Sequence, residues 1–123
     1  MQAQQLKTVE PLNDELYMQL RLDYIEHIIK NCQSFSLRAR TNKSIKSIYS
    51  LNQEILRSIH SIKGSSPMYD ISIIGKICHH LEDILSNNYL INNLNNNSYI
   101  ENLTAYLDLI RLTALVEKEY IYS

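Results

Sequence analysis

His60, Lys63 and Gly64 are the residues of this 123-residue chain whose types and spacing could do chemistry. They belong to the run His-Ser-Ile-Lys-Gly-Ser-Ser at positions 60 to 66. A neutral imidazole is a competent nucleophile near pH 7. On a helix, Lys63 and Gly64 share the surface of His60, because residues three and four positions apart are neighbours. A glycine inside a helix costs about 1 kcal/mol relative to alanine, which suggests either close approach of another molecule or simple preparation of the helix end.

The helix that carries His60 is predicted to run from about 43 to about 66, with Thr41 or Asn42 as its N-cap and Pro67 as its stop. At about 100° per residue, His60 lies about 110° from the centre of the apolar face, so we expect it at the rim of that face, open to solvent. The face itself is a repeat of positions three and four apart: Ile45, Ile48, Asn52, Ile55, Ile59 and Ile62.

Three further amphipathic helices are predicted around this one. The first runs from 13 or 14 to about 34 and is followed by a polar stretch, 36–43. The third runs from about 71 to 86 with Asp70 as its N-cap, and the last runs from about 98 to 120, after an asparagine-rich connector at 87–98. Four such helices with short connections predict an all-α fold, an antiparallel up-and-down four-helix bundle. The bundle would occupy residues 13–123 as one domain, after a short, partly flexible N-terminal segment at 1–12.

Periodicity also assigns the faces of these three helices. The predicted core positions are Leu16, Leu20, Tyr24, Ile28 and Cys32 in the first helix, Ile74, Ile77, Cys78, Leu81, Ile84 and Leu85 in the third, and Ile100, Leu103, Leu107, Ile110, Ala114 and Val116 in the last. The predicted outward positions are Gln19, Arg21, Asp23, Glu26 and Lys30 in the first helix, and Glu82 and Asp83 in the third.

Composition excludes several classes of function. A net charge of −1 gives no electrostatic footprint for nucleic acid or an anionic membrane. The two glycines are too few for a phosphate-binding loop, so the chain is not expected to bind and hydrolyse ATP itself. Two cysteines inside helical patterns, with no signal peptide and no membrane-spanning run, predict free thiols and a cytoplasmic protein. His79 and His80 are adjacent and point about 100° apart, so no metal site is expected.

The stretch around His60 resembles the histidine-containing phosphotransfer (HPt) domain. The resemblance rests on the run from His60 to Ser66, then Ile71 and Ile74, then Cys-His-His-Leu-Glu at 78 to 82. It is especially similar to the phosphorylatable N-terminal domain of chemotaxis kinases. The motif covers about 55–85, and the length and helix count extend the resemblance over most of the chain. Asp70 departs from the glycine that the family usually has in this turn, although Asp tolerates left-handed backbone, and Pro67 is also unusual there.

The resemblance implies a phosphorelay carrier without an ATP site of its own. His60 would accept a phosphoryl group from a receiver-domain aspartate or a kinase and pass it to a response-regulator receiver domain, and Lys63 would stabilise its charge. The implied partners are receiver domains and a sensor (hybrid) histidine kinase, with no nucleic acid and no membrane. No cofactor is expected on the chain, Mg²⁺ would come with the receiver domain, and the chain is expected to be a monomer. The partner would be bound by Gly64, Leu56, Ile59, Ser65 and Ser66.

Three other interpretations remain. A helical adaptor or inhibitor could bind a receiver or kinase without being phosphorylated, and its binding would survive loss of His60. A dimerisation domain of a histidine kinase usually has an acidic residue directly after the histidine and a proline a few residues on, whereas Ser61 follows His60 and Pro67 lies further away. An independent metal-dependent or hydrolytic enzyme has the least support.

Overall fold

Four helices make up the described parts of this protein. The computed structural model describes residues 14–41, 44–86 and 97–122. The helices are α1 (Asp14–Thr41), α2 (Ile45–Ser65), α3 (Ser72–Leu85) and α4 (Asn97–Tyr122). The predicted N-terminal segment at 1–12 and most of the asparagine-rich connector lie outside the described residues. Within the described ranges, no helix combines the length and apolar character that crossing a membrane requires.

The helices form the predicted antiparallel bundle. Each one packs against the helices before and after it in the chain, and α1 closes the ring against α4. An ion pair between Arg21 and Glu117 joins the start of α1 to the end of α4, as antiparallel neighbours require. The prediction of an all-α four-helix bundle is therefore confirmed.

The core lies where the four apolar faces meet. The predicted face of α2 is buried wherever its side chains are described, including Asn52, and the inward positions of α3 are buried or half-buried. Burial raises the pKa of the Cys32 and Cys78 thiols to about 12, so both are unreactive core residues. The buried hydrophobic residues are Ile25, Ile28, Ile29, Cys32, Ala39, Ile48, Leu51, Ile55, Ile59, Ile62, Ile71, Ile74, Cys78, Leu81, Leu85, Tyr99, Leu103, Leu107, Ile110 and Ala114.

The first helix is longer than predicted. It continues to Thr41 instead of ending near 34. The prediction of a polar stretch outside the helices at 36–43 is therefore wrong for residues 36–41, which are helical. Ala39 is buried, and Arg38 and Arg40 pair with carboxylates of α2 and α4. These contacts stabilise the last turns of α1, and so does the positive charge at the negative end of the helix dipole. The polar composition of these turns is the reason why the sequence did not predict them as helix.

The buried face of α1 was also predicted wrongly at its N-terminal end. Leu16 and Leu20 are exposed, whereas Arg21, predicted to point outward, is buried. The Arg21 guanidinium donates to the carbonyl oxygens of Tyr69 and Asp70 and pairs with Glu117. Because these acceptors satisfy its charge and its donors, Arg21 can occupy an inward position that hydrophobic periodicity reserves for apolar residues.

The two predicted helix caps differ from the structure. Ser44, not Thr41 or Asn42, is the N-cap of α2, and its hydroxyl accepts from the Ser47 amide at 3.1 Å. Asp70 does not cap α3, because the N-cap position is Ile71 and carries no side-chain bond. Asp70 instead has a φ of 57°, a left-handed conformation that favours glycine and that Asp tolerates. Asp70 thus adopts the backbone conformation that glycine would adopt here, so the turn forms with Asp in place of the usual glycine.

In α4, Val116 was predicted to be a core residue but is exposed. Tyr99, which is not among the predicted core positions, is buried, and its hydroxyl donates to the side-chain oxygen of Asn52 on α2. The remaining core predictions for α4 hold, with Ile100 half-buried against the core. The helix is apolar on two sides, which is why its phase was difficult to read.

Candidate functional site

His60 lies on the outer rim of α2, in the last two turns before the helix ends. Its side chain is 73% exposed, in agreement with the prediction from helix phase. Ile59, the residue before it, is buried and fixes the rotation of α2 in the core. The imidazole is therefore presented to solvent by a helix that is held rigidly from beneath.

Glu82 of α3 connects His60 and Lys63. One carboxylate oxygen, Oε2, lies 2.8 Å from Nδ1 of His60, and the other, Oε1, accepts from Nζ of Lys63 at 2.6 Å. The Glu82 side chain is only 21% exposed. One carboxylate thus orients both residues that the sequence singled out for chemistry.

This arrangement selects the reactive nitrogen of the imidazole. The hydrogen bond from Lys63, followed by that from His60, lowers the pKa of the Glu82 carboxyl below its ordinary value of 4.5, so the group is ionised near neutral pH. An ionised carboxylate only accepts hydrogen bonds, so the hydrogen-bond pattern assigns the proton of the neutral ring to Nδ1. Nε2 then carries the free lone pair, on a side chain that is open to solvent.

Gly64 and Leu56 lie on the surface around His60. A Cβ at Gly64 would meet nothing within 4 Å, so packing among the described residues gives no reason for a glycine there. Leu56, one turn before His60, is half-buried against the core. Ile59 is fully covered, so it supports this surface from beneath, and the prediction that a partner contacts it directly is incompatible with its burial.

Ser65 and Ser66 are engaged within the chain. The Ser65 hydroxyl donates to the Ser61 carbonyl oxygen and lies 2.6 Å from the Tyr24 hydroxyl of α1. Ser66 is buried against Gly75 of α3, where an added Cβ would lie 2.1 Å from the Ser66 Oγ. Ser66 therefore fixes the distance between the end of α2 and the start of α3, and it is too buried to bind a partner directly.

The N-terminal half of α1 holds the turn that follows the histidine helix. Tyr17 donates to the Met68 carbonyl oxygen at 3.1 Å, and Arg21 Nε donates to that of Tyr69 at 2.9 Å. Tyr24 stacks on the ring of Tyr69 with a centroid distance of 4.3 Å. These contacts set the relative positions of α2 and α3, and thereby the distance from His60 to Glu82.

A shallow groove lies beside Lys63, between the end of α2 and the start of α3. It has a volume of about 390 Å³ and includes the basic or titratable side chains of Lys63, Lys76, His79 and His80. His79 lies 3.7 Å from Asp83, one turn on. Among the residues that the structure describes, no three His, Cys, Asp or Glu side chains come together as a possible metal site.

Residues 36–117 match the model of the family described as the Hpt domain. This chain belongs to the Hpt domain family. The resemblance found in the sequence is therefore confirmed over two thirds of the chain, including all of α2 and α3. Searches of curated proteins and of solved structures found no match. Hpt domains are phosphocarriers of two-component signalling and not kinases, which indicates a phosphotransfer role for this chain.

Glu82 is the residue of this Hpt domain that sequence reasoning missed as part of the site. It was placed on the outward face of α3 and was quoted only as part of the family pattern. The signal was present in that pattern, where a glutamate follows a hydrophobic residue at a fixed distance from the histidine. What the pattern could not give is the register of α3 against α2, which places the carboxylate between His60 and Lys63.

Proposed function

We propose that this Hpt domain is a phosphorelay carrier in which Nε2 of His60 is the phosphoryl acceptor. It would take the phosphoryl group from the phospho-aspartate of a receiver domain, or from a sensor (hybrid) histidine kinase, and pass it to the aspartate of a response regulator. The observation that carries the proposal is the exposed imidazole, 73% open to solvent, whose Nδ1 is held 2.8 Å from the Glu82 carboxylate.

The chemical step needs no proton transfer from the acceptor nitrogen. The Nε2 lone pair forms the N–P bond while the P–O bond to the donor breaks, and the donor aspartate leaves as a carboxylate. The ring keeps its proton on Nδ1 and becomes positively charged, and the Glu82 carboxylate stabilises that charge as it develops. Since phosphoryl transfer depends mainly on positioning and charge stabilisation, an oriented imidazole is sufficient on this side of the reaction.

Lys63 has the remaining role in the transfer. Its ammonium has three donors and gives one to Glu82 Oε1, so two are left for oxygens of the phosphoryl group. Gly64, where a side chain would project into open space, leaves room for the loops around the partner's aspartate. Mg²⁺ belongs to the receiver domain in this scheme, and the carrier supplies no metal ligand.

The test is phosphoryl transfer to the purified chain. Phosphorylated receiver domains with Mg²⁺ are mixed with the wild type, with His60→Gln, and with His80→Gln as a matched variant of another exposed histidine. We expect acid-labile, base-stable phosphate on the wild type and on His80→Gln, and none on His60→Gln.

The same experiment separates the carrier from the adaptor. If no receiver or kinase labels the chain, while wild type and His60→Gln bind a receiver equally well, the carrier proposal is wrong and the non-phosphorylated adaptor replaces it. Label that persists in His60→Gln would place the acceptor on another residue.

A further inference from the structure

Gly75 shapes the groove beside Lys63. It is buried in α3 against Ser66 at the end of α2, and a Cβ at Gly75 would overlap the Ser66 hydroxyl. Because the two helices approach closely here, the side chains on either side of this contact surround a hollow of about 390 Å³. The Ser66 hydroxyl donates its proton to the Lys63 carbonyl oxygen. The floor of the groove, which includes Pro67, is therefore suited to the methylene groups of a side chain.

The walls of this groove carry basic or titratable side chains, and one cation among them is unpaired. Lys63 of α2 donates to Glu82 Oε1, and His79 of α3 lies 3.7 Å from Asp83. Lys76 of α3 is exposed and has no ion-pair partner among the residues that the structure describes. The first turn of α3 contains no acidic residue that would offset its charge. The groove therefore combines an apolar floor with an ammonium group that is free to bind an anion.

The groove lies next to the proposed phosphoacceptor. Lys63 lines it and follows His60 by about one turn of α2. Lys76 precedes Glu82, the hydrogen-bond partner of His60, by six residues, which is about 9 Å along α3. Each partner in a standard interface buries about 800 Å², an area roughly 30 Å across. A protein domain that covers His60 therefore also reaches the groove.

A receiver domain brings carboxylates to this surface. In the proposed transfer it holds Mg²⁺ beside its phospho-aspartate, and Mg²⁺ in proteins is bound through carboxylate oxygens. The surface around such a site is acidic, and opposite charges across an interface speed association. The whole chain has a net charge of −1, so its attraction for an acidic surface depends on where its cations lie.

We propose that this groove binds one acidic side chain of the receiver domain, with the carboxylate on Lys76 and the aliphatic part over Pro67 and Gly75. The inference rests on the proposed phosphorelay function and adds a docking contact to it. Lys76 contacts the partner and not the phosphoryl group, so it affects the encounter and not the chemical step. The contact favours receivers that have an acidic residue at this position over receivers that do not.

The test separates docking from chemistry. Transfer from a phosphorylated receiver domain with Mg²⁺ is timed at increasing carrier concentration, at low and high salt, for the wild type, Lys76→Gln and Lys76→Glu. We expect kcat/KM to fall about 5-fold in Lys76→Gln and at least about 10-fold in Lys76→Glu, while the rate at saturating carrier stays unchanged. High salt should reduce both differences, because it screens an exposed charge pair.

Lys46→Glu is the matched control. Lys46 is an exposed lysine at the start of α2, 14 residues and about 21 Å before His60 along the helix. This variant makes the same change in total charge away from the groove, so it should transfer like the wild type. An equal loss in Lys46→Glu and Lys76→Glu would overturn the proposal, because total charge would then explain the effect.

A second phosphodonor distinguishes failure of this proposal from failure of the carrier. Phosphoramidate has no protein surface to dock, and its P–N bond breaks as the bond to His60 Nε2 forms, so that ammonia leaves. It should label the wild type and both Lys76 variants equally. A wild-type KM and salt dependence in Lys76→Glu, with receivers still labelling His60, would overturn the groove contact and leave the carrier proposal intact. Absence of label from every receiver would overturn both.

Discussion

Replacing Glu82 by glutamine tests the orientation of the nucleophile directly. The change keeps the size of the side chain and removes the charge that lies 2.8 Å from His60 Nδ1 and 2.6 Å from Lys63 Nζ. A glutamine amide can also donate to Nδ1, which would move the ring proton to Nε2 and block the lone pair that attacks phosphorus.

The size of the effect follows from the contact. A hydrogen bond to a charged group contributes about 1.5 to 3 kcal/mol, and solvent around the exposed imidazole reduces this to about 1 to 2 kcal/mol. Since 1.36 kcal/mol corresponds to a factor of ten in rate, Glu82→Gln should slow phosphoryl transfer about 5- to 30-fold.

The assay is single-turnover transfer from a phosphorylated receiver domain, followed by rapid quench at saturating carrier. Asp83→Asn is the matched control, because it removes the neighbouring carboxylate, which lies 3.7 Å from the exposed His79 ring. The control should react at the wild-type rate. Equal rates for Glu82→Gln and the wild type, with both proteins folded, would refute the role given to this carboxylate.

Three further changes test the account of the bundle and its surface. Gly64→Ala should stabilise the protein by up to about 1 kcal/mol in urea unfolding, because its methyl group meets no other atom of the chain within 4 Å. The same variant should slow phosphoryl transfer, because the partner must approach at this position, and equal or faster transfer would show that Gly64 does not make room for the partner. Gly75→Ala should cost about 1 to 3 kcal/mol in the same assay, because its methyl group would overlap Ser66, and an unchanged stability would show that α3 can shift freely. The hydrogen bond from Arg38 lowers the pKa of the Glu54 carboxyl below 4.5, so this pair stabilises the fold above that pH and stops doing so as the pH falls through the lowered pKa. Glu54→Gln should therefore make the thermal unfolding temperature depend less on acid pH, and the same pH dependence in variant and wild type would contradict this.

The α2 helix was predictable because one strong pattern fixes it. Five described positions of its apolar repeat are buried, and the phase of that repeat placed His60 at the solvent rim. The N-terminal end of α1 and the C-terminal part of α4 were not predictable in this way. Both helices carry apolar residues on two sides, so Leu16 and Val116 fit the pattern as well as the true core residues do. Only the packing of neighbouring helices decides which side is inside.

The residues of the candidate site also differ in how far the sequence could predict them. His60 and Lys63 could be chosen from one helix, since their spacing alone places them together. Glu82 required the register between two helices, and that register depends on close contacts such as Ser66 against Gly75 and on the bonds from Arg21 to the turn. Short-range spacing therefore identifies groups on one element, whereas contacts between elements complete the site.

The position of the phosphoryl group on the His60 ring is the measurement that decides whether Nε2 is the acceptor. The ¹⁵N-labelled protein is phosphorylated by a receiver domain with Mg²⁺ and studied by long-range ¹H–¹⁵N and ³¹P NMR. We predict phosphorus on Nε2 of His60, with the proton of the unmodified neutral ring on Nδ1. Phosphorus on Nδ1 of His60, or on any other histidine, would contradict it.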